Sequence, residues 1–434
     1  MKKLLILLFT IITASDQIPG PEQTHPIILR KGIIHTVSNG TVHGPDLLFE
    51  NGKINAIGHG LEISENTEII DVSGKHIYPG LISAGSTLGL QEIGAVRATR
   101  DNAETGSINP NVKANVSYHP DSELIPVSRS NGVLISHVIP QSGRIPGTSS
   151  LMLLDGWTWE DCTLKHPVAM NLNWPSMDYN FSHWNKKSIK EQDKERNEAL
   201  SEIDRLFNSA RAYNKLDKSS NNFQSNPRLS ALSKVTNGEI PLLIKANTLK
   251  QIESAVFWSI EQKIEIMILG GKDAWRTTDL LIENNIPVIY ESVLSVPNRR
   301  YEDYDQPYKT PKMLHDAGVK FCISNSTSSF QTPHLRNLPY HAAMAVSFGL
   351  DSEEAIRSMT LSTAEILGIA DLVGSLEPGK DATLFISDGD ILDIRSNVEM
   401  AFINGKRVDM SDRHKMLYEK YTEKYIQKGI LPNK

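Results

Sequence analysis

Short apolar runs alternate with amphipathic helical patterns through most of the chain. A run of this kind lies at residues 81–84, 133–139, 168–172, 242–245, 264–269, 287–290 and 320–324. Short buried strands that alternate with helices are typical of parallel β-α units. The pattern predicts seven of the eight strands of a TIM-type barrel, and we expect the eighth between residues 173 and 239.

The beginning of the chain has a different pattern. Residues 28–71 form short alternating segments, with Asn-Gly turn signals at residues 39–40 and 51–52. This pattern predicts a small unit of short β-strands. A second β segment lies near the other end of the chain, and the two must meet in space to form one domain.

One interval in the middle of the chain is rich in charge. Residues 186–218 are mostly polar, but apolar residues recur at helical spacing: Leu200, Ile203, Leu206, Phe207 and Ala210. This spacing predicts a solvated helix with one face packed on the barrel.

The composition fits one large domain with a small companion. The chain has 434 residues, of which 39% are hydrophobic, and a net charge of -6 with both signs interspersed. A chain of this size can bury a large core, and one barrel plus a small β domain accounts for its length. The mixed, negative charge argues against a nucleic-acid partner.

Residues 1–15 have the three parts of a secretory signal peptide. Met1-Lys2-Lys3 is basic, residues 4–12 are apolar, and Thr13-Ala14-Ser15 provides the small residues. We therefore expect export, to the periplasm or as a secreted protein. The apolar run is shorter than the roughly 20 residues that span a bilayer, so no stable membrane anchor is expected. Export would permit a disulfide between Cys162 and Cys322, which the sequence leaves open.

Several motifs follow one another in an order that is typical of a known family. Pro79-Gly80-Leu81-Ile82 resembles the first-strand signature of the amidohydrolase superfamily, in which a following His-x-His pair grips the catalytic metal. Residues 364–368, 374–385 and 401–408 are similar to the family's return into its small β domain. Four segments between these ends resemble the imidazolonepropionase-like branch, at residues 109–112, 120–123, 129–133 and 154–161.

The resemblance implies an α/β fold, a (β/α)8 TIM-type barrel plus a small β-sandwich domain formed by both chain ends. It also implies a division of the chain. We expect a signal peptide at 1–15, the first part of the sandwich at 26–72, the barrel at 73–370, the second part of the sandwich at 371–410 and a C-terminal helical tail at 411–434.

The family resemblance implies zinc or another divalent metal at the mouth of the barrel, where the strands end. The expected ligand positions instead hold Gly85, Thr87, Lys245, Gly270 and Asn325. Glycine offers no donor, hydroxyl and amide groups bind zinc poorly, and lysine binds it only when deprotonated or carbamylated. We therefore predict that these positions hold no metal and that the protein has no cofactor.

Lys245, Asn325 and His137 are the candidate residues at the mouth. Lys245 is expected to form an ion pair or to fill the space left by the metal. Asn325 stands where the family has an aspartate, and an amide cannot act as a base near neutral pH. His137 lies in an apolar strand and is expected to be a hydrogen-bonded core histidine rather than a ligand. An alternative chemistry would pair Lys245, as a base, with a hydroxyl nucleophile from Ser83, Ser86 or Thr87.

The resemblance implies a hydrolase of non-peptide carbon-nitrogen bonds, of the cyclic amide type. The replaced ligands predict an exported, amidohydrolase-like protein whose catalysis is impaired. An alternative is a non-catalytic binding or assembly subunit that pairs with a catalytic relative. The expected partners are a small-molecule ligand and either a second copy of the chain or such a relative.

Overall fold

The computed structural model describes residues 17–217, 219, 223–291 and 293–432. The predicted signal peptide, residues 1–15, lies outside the described residues. The strands are β1 Ile27–Arg30, β2 Ile33–His35, β3 Thr41–His43, β4 Asp46–Glu50, β5 Lys53–Gly58, β6 Glu68–Asp71, β7 His76–Pro79, β8 Leu81–Ser86, β9 Val133–Val138, β10 Gly147–Thr148, β11 Ser150–Leu153, β12 Thr163–Lys165, β13 Met170–Asn173, β14 Leu242–Ala246, β15 Ile266–Gly270, β16 Val288–Glu291, β17 Phe321–Ser324, β18 Leu384–Ser387, β19 Val398–Ile403 and β20 Lys406–Arg407.

The helices fill the intervals between the central strands and extend beyond the last strand. They are α1 Leu124–Arg129, α2 Trp159–Cys162, α3 Ile189–Asn214, α4 Pro227–Thr236, α5 Leu249–Gln262, α6 Thr278–Glu283, α7 Gln306–Ala317, α8 Leu338–Ser347, α9 Ser352–Ser358, α10 Leu361–Ile366 and α11 Arg413–Gln427. The fold is therefore mixed α/β. Among the described residues, no helix is long and apolar enough to cross a membrane.

The central strands form two sheets with parallel neighbours. One sheet has the order β10-β13-β14-β15-β16-β17, in which β13 to β17 are parallel, and the other has the order β12-β11-β9-β8. β8 pairs in parallel with β9 and lies beside β17. Because β15 is buried along its whole length, its sequence is a continuous apolar run rather than an alternating one, and β14 departs from this pattern only at the half-buried Lys245.

Each of the seven predicted runs overlaps a strand, but the prediction of an eighth strand between residues 173 and 239 is wrong. The described residues between 173 and 239 form α3 and α4 instead. The strands missed by the sequence pattern are β10, β11 and β12, which all pair antiparallel with their neighbours. The hydrogen-bonded ladders of the described residues thus make two sheets and do not by themselves close a ring.

The long charged helix was predicted correctly, although it is shorter than the interval 186–218. α3 begins after Ser188, whose hydroxyl and the carboxylate of Glu191 cap each other's backbone N–H groups. Its buried face consists of Ile203, Phe207, Ala210 and Tyr213. This face packs on α4 and, through Phe207, on Trp258 of α5, while the opposite side of the helix is exposed.

The two ends of the chain share one hydrophobic cluster. Their strands form two sheets, with the orders β5-β4-β1-β6 and β20-β19-β18-β7-β2-β3. The cluster joins residues from both ends, including Phe49 and Phe402, whose ring centroids are 4.9 Å apart. Cys162 and Cys322 are both free and buried, and burial raises the pKa of each thiol to about 12.

Candidate functional site

The parallel strands β8, β14, β15, β16 and β17 bring their carboxyl ends to one edge of the fold. Five of the residues at this edge were singled out in the sequence, and the structure adds Glu291 and Thr327. We call this group the mouth: Gly85, Thr87, Lys245, Gly270, Glu291, Asn325 and Thr327.

Gly85 lies in β8 at the point where the metal-binding motif would place its first histidine. The structure leaves no room for a side chain there. A Cβ atom added to Gly85 would lie 2.8 Å from Cγ2 of Thr327 and 3.3 Å from Cδ1 of Ile139. Both distances are shorter than ordinary carbon contacts. The space into which a histidine would project is therefore occupied by methyl groups.

Thr87, at the second histidine position, is fully buried and bonded elsewhere. Its hydroxyl lies 2.7 Å from the hydroxyl of Thr332, in the segment after β17. One of the two hydroxyls donates and the other accepts. Thr87 therefore ties the first and last central strands together.

Lys245, Thr327 and Glu291 form a chain of hydrogen bonds across the mouth. The Lys245 ammonium donates to Oγ1 of Thr327 at 2.9 Å, and the backbone N–H of Thr327 donates to Oε1 of Glu291. Glu291 is 5% exposed. Glu291 was not predicted as a mouth residue, although a carboxylate directly after the apolar run 287–290 is a signal for a strand-end residue.

Gly270 ends β15 with φ +103°, a conformation that favours glycine. A Cβ at this position would lie 2.5 Å from Oδ1 of Asn247, so the Asn247 side chain fills the place of a ligand. Just beyond, the Arg299 guanidinium pairs with the buried carboxylate of Asp273 and with Glu302. Burial acts to raise the pKa of Asp273, but hydrogen bonds from Arg299 and the Leu249 backbone hold it below its ordinary value.

Asn325 is fully buried and faces the histidines that follow β17. Its Nδ2 donates to the backbone oxygen of His334 at 3.2 Å and lies 3.4 Å from Nε2 of His341. Among the described residues, neither Oδ1 of Asn325 nor Nδ1 of His341 has a hydrogen-bond partner. Burial lowers the pKa of His341 to about 4, so this imidazole is neutral at pH 7.

His137 holds β8, β9 and the segment before β11 together. Its Nδ1 donates to the Ala84 carbonyl at 2.9 Å, and its Nε2 lies 2.7 Å from the hydroxyl of Ser149. The imidazole is fully buried, and burial lowers its pKa to about 4. A neutral histidine with both nitrogens engaged is suited to orienting strands, and its partner Ser149 is also fully buried.

The structure does not bring Lys245 to a serine or threonine of β8. The Lys245 ammonium donates to Thr327, whereas the hydroxyls of Ser86 and Ser136 are 2.7 Å apart. Ser83 is fully buried, and its hydroxyl has no partner among the described residues. A Ser-Lys nucleophile of the kind considered above is therefore not assembled.

The side chains of the mouth do not fit a divalent metal. Among residues 17–217, 219, 223–291 and 293–432, no group of three or more His, Cys, Asp or Glu side chains is placed to hold a metal ion. The mouth offers one carboxylate, Glu291, and that carboxylate accepts a hydrogen bond from the backbone of Thr327, whose hydroxyl is bonded to the Lys245 ammonium. A tetrahedral zinc site needs three or four imidazole, thiolate or carboxylate donors.

A cleft of about 680 Å³ lies beside the mouth, between the loop after β8 and the loop after β17. Its volume is within the range of small-molecule sites. It is lined by Gln91, Glu92, Arg100, Leu124, Phe330 and His334, among others. Burial raises the pKa of Glu92, while hydrogen bonds from Ser122 and the Glu123 backbone oppose this. Phe330 is 87% exposed and offers an aromatic face at the entrance.

Sequence comparisons match the chain to a family model and to one relative, each over a limited part of the chain. A family model described as Amidohydrolase family matches residues 308–408. The imidazolonepropionase of Geobacillus kaustophilus (strain HTA426) is 37% identical over 76 residues, which is 17% of this chain and 18% of that relative. The match thus spans less than a fifth of the relative.

Solved structures show a similar fold over most of the chain. An amidohydrolase from Thermotoga maritima MSB8 matches with a TM-score of 0.77 and 24% identity, covering 88% of this chain and 99% of that one. Molinate hydrolase matches with a TM-score of 0.53 and 14% identity, covering 90% and 96%. At these identities the structural matches establish the fold alone.

Proposed function

We propose that the chain belongs to the amidohydrolase superfamily and derives from hydrolases of non-peptide carbon-nitrogen bonds, but does not hydrolyse such bonds with a metal-activated water. Membership in the superfamily supports a hydrolase function. The cleft beside the mouth supports binding of a small molecule, for which a cyclic amide is the class that the superfamily suggests. Catalysis by this chain is impaired, because the mouth lacks the residues that would hold the metal.

The observation that carries this proposal is the environment of Gly85. A histidine there would require Thr327 and Ile139 to move, because the position lacks space even for a methyl group. Thr327 is not free to move, since Lys245 and Glu291 both bond to it. Side chains therefore fill the space in which the superfamily holds its metal.

The charges at the mouth support the same proposal. A cation bound near Lys245 would meet the ammonium of that residue, and two like charges at close range in a partly buried site repel each other. Hydrolysis by a metal-bound water also needs a base near the metal. Asn325 provides an amide at the position where the superfamily has its aspartate. An amide cannot take a proton from the attacking water, so this position supplies no base.

We also propose that the central sheets and the terminal sheets complete the architecture of the superfamily. β8 lies beside β17, which supports closure of the central strands into a barrel. The shared cluster of β1, β4, β18 and β19 supports a β-sandwich domain built from both ends. We propose the division at residues 26–72, 73–370 and 371–410, with the exception of β7, which pairs with β2 and β18 and therefore belongs to the terminal sheets.

Purified protein is expected to contain less than about 0.1 equivalent of zinc, manganese or iron per chain after dialysis against a chelator. The reason is the lack of a donor set in the mouth, which leaves a metal few ligands to bind. Elemental analysis measures this directly. A panel of cyclic amides, assayed with and without added metal, should show no metal-dependent turnover. About one equivalent of tightly held metal, or turnover that a chelator abolishes, would contradict the proposal.

Export is proposed from the first residues of the chain, and it makes a separate prediction. Exported protein is expected to begin within a few residues of Asp16, because cleavage follows the small residues Ala14 and Ser15. N-terminal sequencing of material from the periplasm or the medium tests this. Protein that retains Met1 and is confined to the cytoplasmic fraction would refute it.

A further inference from the structure

The C-terminal helix α11 is attached to the rest of the protein by few contacts. It begins after Asp412, whose carboxylate accepts the backbone N–H groups of His414 and Lys415 at 2.7 and 3.1 Å. None of the residues of α11 is buried. A helix of this length is marginal in water without packing on one face. Its exposed face therefore needs an explanation.

One side of α11 carries large apolar and aromatic side chains. Leu417, Tyr421 and Tyr425 are four residues apart, so they lie above one another on the helix. They are 39%, 47% and 42% exposed, and Tyr418 beside them is 71% exposed. We call this the tyrosine stripe.

The basic side chains of α11 lie next to the tyrosine stripe. Arg413, Lys420, Lys424 and Lys428 are separated by seven, four and four residues, which places them within about 80° of one another around the helix axis. We call this the basic stripe. The ammonium of Lys424 lies over the rings of Tyr421 and Tyr425, 5.3 and 6.0 Å from their centroids, so the two stripes touch.

The charge of this segment is opposite to that of the whole chain. Residues 413–428 hold five Lys or Arg and two Glu, a net charge of +3, whereas the chain carries -6. The two acids, Glu419 and Glu423, are four residues apart and therefore share a side of the helix that is separate from the basic stripe. The positive charge is concentrated on one narrow surface.

We propose that α11 docks on the surface of an anionic phospholipid bilayer and lies in its plane. Tyrosine is well suited to the headgroup region, because its ring is apolar and its hydroxyl is polar. Lysines beside it can reach phosphate groups, and each basic residue near an anionic surface adds attraction. Because the rest of the chain is negative, this surface would orient the protein with α11 against the lipid. The helix would rest on the bilayer without crossing it.

The test is co-sedimentation of the full chain with vesicles. We expect binding to phosphatidylcholine vesicles that contain about 30% phosphatidylglycerol to be at least tenfold stronger than binding to pure phosphatidylcholine, and to weaken at high salt. The triple variant Lys420→Glu, Lys424→Glu, Lys428→Glu should bind the anionic vesicles at least about tenfold more weakly than the unchanged protein. Tyr421→Ser with Tyr425→Ser should weaken binding at both low and high salt.

The matched control reverses three lysines on another exposed surface. Lys186→Glu, Lys190→Glu and Lys194→Glu change the net charge by the same amount around the start of α3 and should leave vesicle binding within about twofold. All variants keep the same first residues, so any contribution from them cancels. Equal binding to both kinds of vesicle, or equal loss in both triple variants, would overturn the proposal. So would tighter binding to RNA or to polyglutamate than to the anionic vesicles.

Discussion

Acidification from pH 6.5 to pH 4 is expected to lower the free energy of unfolding by several kcal/mol. The fully buried His137 and the nearly buried His341 each have a pKa that burial lowers from 6.5 to about 4. Between these two values, the unfolded chain binds a proton at each position and the folded chain does not. Protonation therefore favours the unfolded chain, and stability is lost as the pH falls. A shift of this size corresponds to about 3 kcal/mol for each histidine.

Denaturant unfolding at pH 7 and at pH 4.5 measures this effect, and a substitution assigns it. The variant His137→Gln has no titratable group at this position. Its free energy of unfolding should therefore fall by about 2 to 3 kcal/mol less between pH 7 and pH 4.5 than that of the unchanged protein. This comparison does not depend on how stable the variant is at pH 7. His59→Gln is the control, because His59 is exposed. If His137→Gln keeps the full pH dependence of the unchanged protein, as His59→Gln is expected to do, then His137 does not contribute to the loss of stability at low pH.

Much of the fold follows from the apolar runs, because a strand buried on both faces must be apolar throughout. β15 is an example, and β14 departs from it only at the half-buried Lys245; the limits of both strands differ from the prediction by one or two residues. The expected strand between residues 173 and 239 was wrong because that interval has helical spacing and capping residues such as Ser188 and Asn226. β11 was missed because its short run, Ser150–Leu153, pairs antiparallel and has no β-α signal around it.

The sequence could show which ligands are replaced, but not what fills the space. The atoms nearest to Gly85 belong to Thr327 and Ile139, one of which is more than 200 residues away in the chain. The same holds for the bond between Thr87 and Thr332. Such contacts arise only when β8 and β17 lie side by side, and no local pattern encodes them. Glu291 was overlooked for a simpler reason, since the superfamily motif does not mark its position.

The double variant Gly85→His, Thr87→His is expected to lose roughly 3 kcal/mol or more of folding free energy. A histidine at residue 85 overpacks a site in which even a Cβ atom lies 2.8 Å from Thr327. A histidine at residue 87 removes the buried bond to Thr332 and leaves that hydroxyl without its partner. Gly85→Ala alone should already destabilise the protein. Gly58→Ala is the control, because a Cβ there meets only Cδ2 of Leu61, at 3.5 Å.

The same double variant is expected to gain at most weak zinc affinity and no hydrolase activity. Two histidines one residue apart on a strand point to the same side, so they can share a metal ion. Catalysis also needs a base for the metal-bound water, and Asn325 cannot supply it. Zinc affinity and hydrolysis of a cyclic amide panel should be measured for the double variant and again after adding Asn325→Asp. If the double variant alone turned over substrate with metal, a base would survive at the mouth. The candidate for that base is Glu291, the only carboxylate among the mouth residues. Adding Glu291→Gln to the double variant should then abolish the turnover. In that case the two histidines alone would be enough to restore hydrolase activity.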